Sequence, residues 1–161
     1  MAPTEAARDH RRTRLADNVR HMDTVETVIK SLAALGLEPN RAGTNVVTVR
    51  LPSEKRGTIG VHMTFDERSV GLQTFVMRGP DRAKEAVYRR LLRRHFDRCR
   101  WRFALDDDGD IFLVARSEID GFDEQLDGLL GELSVLVDET YEGMLRTGFD
   151  VPDGVAVSRP S

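Results

Sequence analysis

At 161 residues, 40% hydrophobic and 32% charged, the chain suits one globular domain, large enough to bury roughly 70% of its unfolded surface. Its net charge of −3 gives no overall pull toward nucleic acid or an anionic membrane. One cysteine, Cys99, excludes an intrachain disulfide framework and a cysteine zinc site, and no apolar run reaches the ~20 residues of a transmembrane helix.

Residues 1–14 are small, polar and charged, and read as a disordered or loosely helical tail. They hold no apolar core suited to a signal peptide, so a cytoplasmic location is expected. The basic patch at 10–14 reads as a solubilising end rather than a phosphate site. A single domain is expected over 15–149, followed by a flexible tail at 150–161.

Leu15, Val19, Met22, Val25, Ile29 and Leu32 recur at steps of three and four and predict a first helix. It is strongest from Asp23, where Asp23 and Glu26 can form a capping box, and Gly36 suits its end. Loop chemistry fills 38–45. Three strands follow. Val47, Val49 and Leu51 alternate with polar neighbours until Pro52, and Ile59, Val61, Met63 and Phe65 alternate in turn. The run 70–77 lacks clean alternation because Phe75, Val76 and Met77 are consecutive, which suggests a strand covered on both faces or reaching a partner. Gly79-Pro80-Asp81 then closes the strand and caps a helix over 81–99.

That helix sets Ala83, Val87, Tyr88, Leu91, Leu92, Phe96 and Cys99 on its apolar side. A hairpin follows: Trp101, Phe103 and Leu105 alternate, Asp108-Gly109 offers a type I′ turn, and Ile111, Leu113 and Ala115 alternate again. Counted from Asp106, the acidic run has its glycine at the wrong place for an EF-hand, so a turn explains it better than calcium. The chain closes with an amphipathic helix whose stripe includes Phe122, Leu126, Leu129, Leu133, Val137 and Met144. Trp101, Phe103, Leu113, Leu126 and Leu133 are expected in one core. The fold class is therefore α+β, in the order α-βββ-α-ββ-α, with a largely antiparallel sheet packed with helices.

Chemistry is sparse. No nucleophile with a base, no metal cluster and no glycine-rich phosphate loop can be assembled, so no enzyme activity and no cofactor are expected. His95 reads as a hydrogen-bonded structural imidazole and His62 as solvated. Residues 82–102 carry nine Arg or Lys residues against two acids, and 106–132 carry ten acids against Arg116 alone. Arg89, Arg90, Arg93 and Arg94 form one arc, continued by Arg100 and Arg102. This arc is the basis of an alternative reading as a nucleic-acid-associated regulator, unless the acidic helix neutralises it within the fold or across a dimer. Gly128 and Gly131 cost roughly 1 kcal/mol each inside a strong helix, which implies close approach within the monomer or a dimer contact. Paired apolar residues, Val46 with Val47, Phe75 with Val76 and Phe112 with Val114, exceed what a sheet with one solvated face needs. A helix, a second subunit or a client must cover the excess. Val76, Phe112 and Val114 are thus candidate partner contacts, with the arginines at the rim.

The stretch EAVYRRLLRR at 85–94, FAL at 103–105, GDIFLVAR at 109–116 and, in the last helix, LDGLLG at 126–131 and YEGML at 141–145 resemble the actinobacterial branch of the YbjN family. Its members are described as bacterial sensory transduction regulators. The resemblance spans about 25–149 and is densest in the second half. It implies the fold of class I type III secretion chaperones, small acidic dimers that hold segments of other proteins, and it supplies no catalytic residues. From the resemblance and the residues together, a non-enzymatic binding or regulatory protein is expected, a homodimer that holds a protein segment.

Overall fold

The computed structural model describes residue 19, residues 22–97 and residues 100–149. The expected tails, His10, His21 and Cys99 lie outside these residues. Helix α1 covers 22–34, followed by strands β1 (Asn40–Arg41), β2 (Val46–Ser53), β3 (Gly57–Phe65) and β4 (Ser69–Met77). Helix α2 (Lys84–Arg94) runs into a 3-10 turn at His95–Asp97, and β5 (Arg102–Leu105), β6 (Ile111–Glu118) and α3 (Phe122–Gly148) complete the chain. The order is α-ββββ-α-ββ-α. The extra element is the short β1, which pairs with β2 inside the segment read as loop.

All six strands form one antiparallel sheet in the order β1-β2-β3-β4-β6-β5. Alternation decides which side chains enter the core. Val47, Val49, Leu51, Ile59, Val61, Met63, Phe65, Val70, Leu72, Leu113 and Ala115 point to one face and are buried. The helices lie on that face. Helix α1 contributes Val25, Val28 and Leu32, α2 contributes Val87 and Leu91, and α3 contributes a stripe from Phe122 to Met144. Trp101, Phe103, Leu113, Leu126 and Leu133 share this core, as expected. The Trp101 indole N–H is satisfied by the Leu129 carbonyl at 2.9 Å.

Several local expectations change. Residues 19 and 22 are already helical, so no capping box starts α1 at Asp23, and Glu26 instead pairs with Arg41 at 2.5 Å. Val28, not Val19 or Met22, completes the buried stripe. The end at Gly36 holds: its φ is +77°, and Leu37 N–H reaches back to the Leu32 carbonyl. Helix α2 starts three residues late, after Ala83 at φ 49°, with no side-chain cap. Asp81 is drawn away by Arg78, 2.7 Å from it, while the N–H groups of Asp81 and Arg82 cap the carbonyl of Gly148. The β5–β6 connection is a five-residue loop, not a type I′ turn. Only Gly109 is left-handed there, and the Asp106 carboxylate accepts from the N–H groups of Asp108 and Asp110.

Candidate binding surface

The other face of the sheet has no helix over it among the described residues. Val46, Thr48, Arg50 and Pro52 from β2 share it with Thr58, Gly60, His62 and Thr64 from β3. Ser69, Gly71, Gln73 and Phe75 from β4, Arg102 and Ala104 from β5, and Phe112, Val114, Arg116 and Glu118 from β6 complete it. None of these residues is buried. Toward the end of β4 and the start of β6, Phe75 and Phe112, cross-strand neighbours, meet edge to face with ring centroids 5.5 Å apart. Phe75 remains 40% exposed, and the Arg56 guanidinium lies over its ring at 5.5 Å.

The consecutive apolar run at Phe75-Val76-Met77 has a simple origin. A β-bulge falls between Phe75 and Met77, so Val76 is the extra residue opposite β6, and both Val76 and Met77 turn inward. Among the described residues strand β4 is therefore covered on one face only. Val76, 1% exposed, belongs to the core and does not share the face of Phe112 and Val114.

Two concavities open on this face. One, of about 750 Å³, is lined by Glu38, Asn40, Thr48, Arg50, Gly60 and His62 near the β1 edge. The other, of about 470 Å³, is lined by Gly71, Gln73, Val114, Arg100, Arg102 and Arg116. Among the strand residues of the face there are three arginines and one histidine against one acid, Glu118, so its charge is opposite in sign to that of the whole chain.

The arginine arc of α2 is spent differently. Arg94 pairs with Glu139 at 3.5 Å, and Arg90 lies against Gly143, where a β-carbon would come within 2.7 Å of its Nη2. Arg89 pairs with Glu85 along α2, and Arg93 is exposed. Next to them, Arg100 donates its backbone N–H and its Nε to the Glu132 carboxylate at 2.6 and 2.8 Å. The acidic helix thus engages part of the basic arc within the monomer. Arg100 also crowds Gly128, because a β-carbon there would sit 3.1 Å from its Nη2; at Gly131 nothing among the described residues lies within 4 Å.

His95 closes the sheet edge. Its Nε2 accepts the N–H of Phe103 at 2.6 Å while the two rings stack at 5.9 Å. Burial, and then the nearby Arg102 charge, push the imidazole pKa below its ordinary value, which keeps Nε2 free to accept. On the outer side of α2, Leu92 and Phe96 are 65% and 92% exposed, against the single apolar side read from the sequence. Leu91 and Leu92 are adjacent, hence about 100° apart around the helix, and on α2 only Leu91 reaches the core.

No family model matches the chain. It is 36% identical over 102 residues to the uncharacterized protein Rv0487 of Mycobacterium tuberculosis, and 35% identical over 104 residues to the uncharacterized protein ML2442 of Mycobacterium leprae. These matches cover 63% and 64% of this chain and 56% of each relative, so the chain spans just over half the length of the curated relatives it matches. Among solved structures, a chain of the ExsC–ExsE complex matches with a TM-score of 0.55 at 19% identity, over 75% of this chain and 93% of that one. A chain from the complex of the Yersinia pestis type III secretion chaperone SycH with a fragment of YscM2 matches at 0.50 and 18% identity, over 73% and 98%. At such identities the likeness is one of architecture: this chain has a type III secretion chaperone-like fold.

Proposed function

We propose that this is a non-enzymatic, cytoplasmic binding protein of the YbjN type that holds a segment of another protein against the open face of its sheet. One observation carries the reading: the half-buried Phe75–Phe112 pair stands on a sheet face that no described element covers. A half-buried aromatic pair with apolar neighbours, Val114 and Ala104, is the kind of surface that excludes water on contact with a second chain. The fold supports the same reading, since its solved relatives include a chaperone in complex with a protein fragment. The mycobacterial relatives support an actinobacterial setting for the family assignment.

Capture from native extract with wild type and with Phe75→Asp and Phe112→Asp variants tests it. Both variants are expected to remain folded and to lose the same partner. If both retain every wild-type partner, the open face is not the binding surface. The homodimer belongs to the same proposal. Leu92 and Phe96, one turn apart and exposed, support it, and light scattering should report a dimer that Phe96→Asp weakens. A monomer persisting at high concentration removes it.

A further inference from the structure

Two glycines on the open face have no steric explanation among the described residues. Among the described residues, a β-carbon on Gly60 would meet nothing within 4 Å, and one on Gly71 would touch only the Thr64 carbonyl at 3.9 Å, an ordinary contact. Neither has a positive φ. Glycine inside a strand weakens it, and a common reason to keep one is close approach of another backbone. Both glycines also sit in the same cross-strand arrangement: Gly60 is directly opposite Arg50, and Gly71 is directly opposite Arg116. Each pair lines one of the two concavities, and the second concavity adds Arg100 and Arg102. Arg50 makes no hydrogen bond or ion pair among the described residues, whereas Arg116 is held by Ser69 and lies 3.6 Å from Asp66.

We propose that the open face receives an extended acidic segment of another protein, its backbone crossing Gly60 and Gly71 and its carboxylates meeting Arg50, Arg116 and Arg102. This deepens the reading above and rests on it. Charge complementarity selects the occupant, since the face is basic on an otherwise acidic chain. The spacing fits: strand geometry places the two glycines about 14 Å apart along a diagonal, about four extended residues. Apolar side chains of such a segment would settle on Phe75, Phe112 and Val114. A nucleic acid suits the site less well, because the Phe75 ring is already engaged by the Phe112 edge and by Arg56 and is not a free stacking platform.

Fluorescence anisotropy with the full chain tests this. The probes are a labelled peptide of alternating glutamate and valine, its lysine–valine counterpart of equal length, and a short oligothymidine. The glutamate peptide should bind at least tenfold more tightly than the lysine peptide and weaken as salt is raised. Gly60→Val and Gly71→Val should each weaken it at least tenfold while the melting midpoint stays level or rises; Arg50→Ala and Arg116→Ala should weaken it with the fold unchanged. Equal binding of both peptides, no binding of the glutamate peptide, or Gly→Val variants that bind like wild type would overturn the proposal. In that event, loss of the native partner by Phe112→Asp would still uphold the open face as a protein-binding surface. Preference for oligothymidine, or a dimer dissolved by Phe112→Asp, would replace the acidic segment by a nucleic acid or by a second copy.

Discussion

Glycines and arginines meet on both sides of this molecule, in the helical layer and on the open sheet face, with opposite consequences. In the helical layer their partners are internal. Gly128 lies under Arg100, Gly143 under Arg90, and Gly148 against Pro80, where a β-carbon would come within 2.7 Å. Arg94 and Arg100 reach Glu139 and Glu132 on α3. On the sheet face the glycines are open and the arginines outnumber the acids. A glycine flanked by its own chain reports packing, and one facing empty space across from an arginine reports something that arrives from outside. Part of the segregated charge of the sequence thus closes the fold, whereas Arg50 and Arg116 on the sheet face lie outside its basic stretch.

The comparison breaks most sharply at two adjacent residues. Val76→Asp places an unpaired carboxylate in the core and is expected to cost about 3–5 kcal/mol or to abolish folding. Phe75→Asp, one residue earlier on the open face, should cost about 1–2 kcal/mol through its lost pair with Phe112 and its partial burial. Denaturant melts of both variants check this, and similar losses would mean that the bulge does not divide the two faces. Leu133→Ala, fully buried on α3, should fall between them at about 2–5 kcal/mol, with a loss under 0.5 kcal/mol showing that the helical layer is not packed as described.

That single step from Phe75 to Val76 also marks the limit of what could be read in advance. Strict alternation placed β2, β3 and β6 correctly because period two leaves no choice of face once one face is buried. The bulge was invisible because an inserted residue and a doubly covered strand write the same apolar run. Helix α3 was legible throughout, since its stripe is wide and its register long. Helix α2 was not: Leu92 and Phe96 are apolar yet face away from the core, and pattern alone assigns every apolar residue to the nearest stripe. Asp81 and Asp23 look like caps by identity, but Asp81 is paired with Arg78, and α1 is already helical before Asp23. The open face as a site was only half visible. Its apolar excess could be counted, while the pairing of Gly60 with Arg50 and Gly71 with Arg116 exists only in the register.

The two regions meet at His95, which ties the edge strand β5 to the end of α2 through the Phe103 N–H. Only the neutral ring can accept there. Because its folded pKa is depressed, first by burial and then by Arg102, the unfolded chain binds the proton more readily. The contribution is fully present above the ordinary histidine value of about 6.5 and is lost as pH falls toward and through the folded pKa. Wild type should therefore lose more of its melting temperature between neutral pH and pH 5 than His95→Gln, which keeps an acceptor but does not titrate. Parallel pH profiles for the two proteins would show that His95 does not link this edge to pH.

Gly131 is where the contrast between the two regions is most exposed to failure, for it is in the helical layer and yet nothing among the described residues lies within 4 Å of its β-carbon position. If that space is simply solvent, Gly131→Ala gains helix propensity at no steric expense and should stabilise by about 1 kcal/mol. Gly128→Ala, three residues earlier, should gain less or lose, because its β-carbon meets the Arg100 guanidinium at 3.1 Å and that group is held by Glu132. The difference between the two variants in denaturant melts isolates the neighbour from the propensity. A clear gain at Gly131 with an unchanged mass in light scattering leaves that position facing water. A loss at Gly131 that grows with protein concentration would instead mean that a second copy approaches α3 there, and open glycines would then mark contact surfaces on both sides of the molecule.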